Sequence, residues 1–142
     1  MTRERVRTAL LLTAVVLVLA GGLVHLREWL QTYRDVPAAV PGAAVVRVGF
    51  PLNVAASLVI AAALVATMLG FARYTVIAIV SAIAFQAASL GTLILSRTGS
   101  VFGWREPVWT DAANQARAVE IGALIALVAA MAITAQARAD SR

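Results

Sequence analysis

The chain has 142 residues, 61% of them hydrophobic and 13% charged, whereas soluble domains carry about 25% charged residues and about 45–50% apolar ones. A soluble chain this short has too little interior to hide the surplus, so lipid must solvate much of it and no separate soluble domain fits. The net charge of +5 comes from arginines set singly in caps and loops, with no lysine, a pattern of topology signals and headgroup contacts that argues against a nucleic-acid face; without cysteine, disulfides, thiolate metal sites, iron–sulfur clusters and cysteine nucleophiles are excluded.

Arg3, Arg5 and Arg7 precede an apolar run from Thr8 to Leu26. Val18-Leu19-Ala20 resembles a signal-peptide cleavage site, but the run continues past it to about 20 residues, enough to cross a bilayer. The sequence therefore predicts an uncleaved first span over 6–26. The helix should extend to Tyr33, with Trp29 and Tyr33 on one face as interfacial aromatics. Asp35-Val36-Pro37 should end it, since a residue before proline leaves the α region.

A loop rich in Ala and Val is expected from Val36 to Gly49. The second span is read at 51–70, with Pro51 in its first turn, Asn53 just inside, and Ser57, Ala61 and Ala62 for close helix contact. Phe71-Ala72-Arg73-Tyr74 makes a tight turn into a third span at 75–96. There Ala84, Ala88 and Thr92 form a small stripe, Ala87 and Gly91 lie beside it, and Gln86 should face the interior. A second loop runs from Arg97 to Asn114, punctuated by Gly99, Gly103 and Pro107. Thr110 or Asp111 should cap the fourth span, at 118–137, where Gly122, Ala126, Ala130 and Thr134 repeat every four residues.

An even number of spans places both long loops on one side. Counting arginines does not decide which: Arg3, Arg5, Arg7, Arg73, Arg138 and Arg142 face Arg27, Arg34, Arg47, Arg97, Arg105 and Arg117. The N-terminal cluster sets the expectation of cytoplasmic termini and outward loops in a bacterial plasma membrane. Arginine without lysine, with abundant Ala and Val, points to a GC-rich genome.

Polar groups at membrane depth are costly and tend to pair or to line a wet cavity. Here they crowd the outward end, and the predicted binding cluster is His25, Glu28, Tyr33, Asn53, Trp104, Arg105, Glu106 and Glu120. His25, Glu28 and Glu120 are the weak candidates for a divalent metal. With a single histidine, hydrogen bonding of His25 to Glu28 or to a loop carbonyl is the simpler expectation. A haem with two histidine ligands would need a second chain. Glu120 is expected in an ion pair with Arg117, Arg27, Arg34 or Arg105; the alternative is a proton or ion carrier. Trp29, Trp104 and Trp109 read as an interfacial belt rather than a stacking platform for a quinone ring. Arg105 and Glu106 are expected to tie the outer loops. No glycine-rich phosphate loop or nucleophile elbow is present, so no catalytic residue is assigned.

The pattern His25-x-x-Glu28-x-x-x-x-Tyr33-Arg34-Asp35-x-Pro37, then Gly49-Phe50-x-Leu52-Asn53, then Phe102-Gly103-Trp104-Arg105-Glu106, resembles a group of small four-span integral membrane proteins of actinobacteria with no assigned activity. The resemblance covers most of the chain. It implies topology and source, and no reaction.

The sequence thus predicts an all-α, four-helix transmembrane bundle with up-down connectivity, a single integral membrane domain over 1–142 whose two longer loops pack on each other. The expected function is non-enzymatic and cofactor-free: an accessory subunit, or a module at the outer face binding a lipid, a quinone or a partner. The implied partners are the bilayer and another membrane chain or a second copy. The alternatives are an enzyme or metal/redox site on His25, Glu28 and Glu120, or a proton or ion pathway through an oligomer with Gln86 and Glu120 facing a wet interior.

Overall fold

The computed structural model describes residues 2–140. Among them, four helices are long and apolar enough to cross a membrane, and the chain is a multi-pass membrane protein. Helix α1 covers Arg3–Glu28 and continues as a π-helical turn over Trp29–Tyr33; α2 covers Ala43–Met68, α3 Thr75–Thr98 and α4 Asp111–Ala139. Each α-helix holds 24–29 residues, or about 36–44 Å at 1.5 Å per residue, more than the roughly 30 Å hydrocarbon core.

Neighbours in sequence are neighbours in space, and α4 closes the ring against α1. The long loops after α1 and α3 share one end, the loop end. The α2–α3 turn and both termini share the other, the tail end. There Arg3 pairs with the exposed Asp140 at 2.5 Å; Arg142, counted on the same side, lies outside the described residues.

Alanine and glycine bring the helices close. Ala14, Ala82, Ala123 and Ala130 are wholly buried, with Leu64, Ile79 and Leu127 filling the space between them. A Cβ at Gly22 would come 2.9 Å from the Cβ of Ser57, so α1 and α2 nearly touch there. Ala126, Ala130 and Thr134 of the four-residue repeat are buried, as its spacing predicts. Ser57 and Ala61 are buried too, whereas Ala62 is exposed. The α3 stripe behaves differently: Ala84, Ala88 and Thr92 are exposed.

Three helix ends follow local chemistry. Thr2 caps α1, accepting from Arg5 N at 3.5 Å, and Thr110 caps α4, accepting from Ala113 N at 3.1 Å. Ala72–Tyr74 forms a single 3-10 turn joining α2 to α3.

The start of α2 corrects the sequence reading. The segment 43–49, expected as loop, is helical, and Pro51 lies well inside α2 rather than in its first turn. Proline lacks an N–H, so the carbonyl of Arg47, four residues earlier, loses its helical donor. The indole Nε1 of Trp29 donates to that carbonyl at 3.0 Å. A long-range partner thus fills the gap that favoured a break.

The two long loops do pack on each other. Val101 and Trp104 exchange backbone hydrogen bonds of 2.8 and 2.9 Å around Phe102 and Gly103, whose φ angles of 47° and 90° make a tight two-residue turn of the primed type. Gly42, at φ 74°, sits directly under it: a Cβ there would fall 2.1 Å from the Trp104 nitrogen. Only glycine permits both that backbone angle and that approach.

Candidate functional site

Above the apolar core, toward the loop end, the interior turns polar. Glu120 of α4 is 2% exposed and lies about 14 Å along its helix from the first residue, by helical rise. Ser89 of α3 donates its hydroxyl to Glu120 Oε1 at 2.5 Å. Asn53 of α2 donates its amide to Ser89 Oγ at 2.9 Å, and Ser57 donates to Asn53 Oδ1 at 3.4 Å. A chain of four polar side chains therefore links three helices. Glu120 Oε2 and the amide nitrogen of Gln86, also 2% exposed, are buried without a hydrogen-bond partner.

Beside this chain, between α2 and α3 in the loop-end half, lies a cavity of about 350 Å³, within the range of about 300–1,000 Å³ usual for small-ligand sites. Val46, Phe50, Leu52, Phe85 and Leu93 supply its apolar walls, and Asn53 and Ser89 border it on the polar side. Leu52, 63% exposed, and the exposed Ala88 and Thr92 also line it. Its mouth therefore faces sideways, where acyl chains lie. The α2–α3 seam is the least closely packed of the four between adjacent helices.

The loop-end roof is an ion pair with an aromatic lining. Arg97 Nη1 donates to Glu106 Oε2 at 2.9 Å and to the Glu106 carbonyl at 2.6 Å. Its side chain is only 5% exposed. The Tyr33 hydroxyl reaches both Glu106 carboxylate oxygens at 2.7 Å. Tyr33 packs on Phe50, with ring centres 4.7 Å apart, and edge-on to Trp104 at 5.9 Å; His25 meets the far side of the cluster through Phe50 at 5.1 Å.

Four of the eight residues picked from sequence, His25, Asn53, Trp104 and Glu106, line the cavity. Tyr33 holds its roof, and Glu120 reaches it through Ser89. Glu28 stands aside, lining a small neighbouring cleft with His25 and Tyr33. Arg105 is exposed and makes no hydrogen bond or ion pair with the described residues, so it does not tie the loops; Arg97 pairs with Glu106 instead.

Other expectations also change. Glu120 is bonded to a serine, not an arginine, because Arg117 turns to Asn114 at 3.1 Å and stacks 4.7 Å from the Trp109 ring. The His25 Nδ1 lies 2.9 Å from the Gly21 carbonyl of its own helix. Among the described residues, no three of His, Asp and Glu gather closely enough to hold a metal ion, so His25, Glu28 and Glu120 do not form a ligand set. Of the three tryptophans expected at the interface, Trp109 is exposed and Trp29 and Trp104 are half-buried, while Tyr33 is buried. Trp29 spends its N–H on Arg47.

Sequence reading missed Phe50, Ser89 and Arg97. A guanidinium closing an apolar span, nine residues before a glutamate, was the signal available for Arg97. Ser89 offered none, since serine is common in membrane helices. No family model, curated protein or solved structure matches this chain.

Proposed function

We propose that this protein is a non-enzymatic binding module of a bacterial plasma membrane, of actinobacterial type, with its loop end outward and both termini cytoplasmic. Its ligand is a membrane-soluble amphiphile that enters from the bilayer between α2 and α3. The observation that carries the reading is the cavity itself: apolar walls, a sideways mouth and a polar inner border, at a level where a hydrogen-bonding head has partners and a tail has lipid-like surroundings.

The experiment is native mass spectrometry of the full chain purified in mild detergent, beside Ala88→Trp, which puts bulk at the exposed rim. The wild type is expected to retain a co-purifying amphiphile and the variant to lose it. A wild type that carries none, and that takes up no added acyl probe in a saturable way, would overturn the reading.

An accessory-subunit role is the second reading. The exposed Ala84, Ala88 and Thr92 of α3 favour it, because small residues allow a partner helix to approach closely. A single monomeric species with no co-purifying chain, across several mild detergents, counts against it.

A further inference from the structure

We infer that the tail end carries a second site: a lateral groove on the α2–α3 seam that holds one anionic phospholipid of the bilayer, its phosphate on Arg73 and an acyl chain along the groove. The groove has a volume of about 420 Å³ and shares no lining residue with the loop-end cavity.

Val59, Ile60 and Ala63 of α2, Phe71 of the turn and Ile77 of α3 form its walls. Val59, Phe71 and Ile77 are exposed, so the groove opens sideways toward the acyl layer. From Val59 to Thr67 it follows α2 for about 12 Å by helical rise. One leaflet contributes roughly 15 Å to the hydrocarbon core, so the groove matches most of the length that a single lipid tail must cover. No acidic side chain lines it.

A cation stands at its tail-end mouth. Arg73 stacks over the Tyr74 ring, 4.6 Å from its centre, and Tyr74 lines the groove. Stacking occupies the face of the guanidinium. Its N–H edge has no hydrogen-bond or ion-pair partner among the described residues: Asp140 is taken by Arg3, and Glu4 lines a separate cleft beside α1. A planar fork of donors, exposed at the end of a span, fits a phosphate at headgroup level. Tyr74 and Ser81 also keep their hydroxyl protons, whereas Thr67, the third hydroxyl on the groove, donates to the Leu64 carbonyl at 2.7 Å. Ser81 lies about 9 Å along α3 from Thr75 by helical rise, just past an interfacial layer of about 5–7 Å, where the ester oxygens of a lipid are the nearest acceptors. A zwitterionic head brings its own cation to Arg73, and an anionic head does not, so the anionic one is preferred.

The test is native mass spectrometry of the full chain released from vesicles of equal parts phosphatidylglycerol and phosphatidylcholine with the same acyl chains. The wild type should retain one phosphatidylglycerol in about fivefold preference, the weight of one arginine near a membrane surface. Arg73→Gln, at an exposed turn, should retain the two lipids equally. Ala63→Trp, which fills the groove, should retain neither there. Ala88→Trp, at the rim of the loop-end cavity, should keep the wild-type preference, which separates this site from that one. Equal retention of both lipids by the wild type, an Arg73→Gln variant as selective as the wild type, or loss of the preference in Ala88→Trp overturns the inference. A dimer that Ala63→Trp dissolves would give the groove to a second copy of the chain and overturn it as well.

Discussion

Trp29 and Pro51 are joined through a third party: the indole of the first donates to the Arg47 carbonyl, which the second, four residues on, leaves without its helical donor. This pairing lets α2 run unbroken from Ala43 and so carries Phe50 and Asn53 to the cavity wall. Trp29→Phe should lower stability by about 0.5–1.5 kcal/mol, the net value of one such bond. Pro51→Ala restores an N–H to the same carbonyl, so Trp29→Phe should cost measurably less in that background. A denaturation double-mutant cycle in detergent reads the coupling, and additive losses would refute the link.

The Arg97–Glu106 pair should be the most sensitive point of the roof. Removing Glu106 with alanine leaves a guanidinium that is only 5% exposed without its counter-charge, which typically costs about 3–5 kcal/mol. Tyr33→Phe should cost less, about 1.5–3 kcal/mol, since it deletes one hydrogen bond to a charged group. Arg105→Ala, next to Glu106 in sequence but exposed, should lie within about 0.5 kcal/mol of wild type. Thermal melts of the three variants would show the order, and an Arg105 loss equal to that of Glu106 would contradict it.

Gly42→Ala should uncouple the two long loops. The new methyl would overlap the Trp104 nitrogen, and the φ of 74° disfavours any side chain. One of the two backbones must move, so a loss of at least about 1–3 kcal/mol is expected. Protease sensitivity confined to the segments 34–42 and 99–110 is the direct readout. Unchanged digestion and melting would mean that the loops do not need each other.

Ser89 should matter more than Thr92, although both are hydroxyls one helical turn apart. Ser89→Ala strands Glu120 Oε1 and an Asn53 proton together at membrane depth, and unmet buried groups cost about 1–3 kcal/mol each. Glu120→Gln keeps an amide proton or carbonyl for Ser89 and should fold with near-native stability. Thr92→Val removes only a bond to its own helix and should be nearly silent in a melt. Equal stability of Ser89→Ala and wild type would show that the polar chain is incidental.

Hydropathy and turn residues sufficed for the number of helices, their order and the grouping of polar groups at one end. They sufficed because lipid forces every backbone group to find its partner inside the segment, leaving few alternatives. What escaped was pairwise. Pro51 looked like a first-turn residue because nothing local predicts that Trp29, far back in sequence, supplies the missing donor. Arg105 drew attention by sitting beside Glu106, but the turn at Phe102–Gly103 sends it outward, and Arg97 takes its place. Glu120 was paired with arginines by charge, whereas helix register gave it Ser89. Three-residue spacing put Glu28 beside His25 on the helix, yet the ring turned to its own backbone.

Leu11, Leu64, Ile79 and Leu127, all buried beneath the polar chain, have a kinetic meaning. A core of this kind offers a polar head neither space nor a hydrogen-bond partner deeper in the bundle. On the proposed reading, a ligand that enters between α2 and α3 would leave by the same seam. Residence time would then depend on how often that seam widens, and stiffening it should slow capture and escape alike.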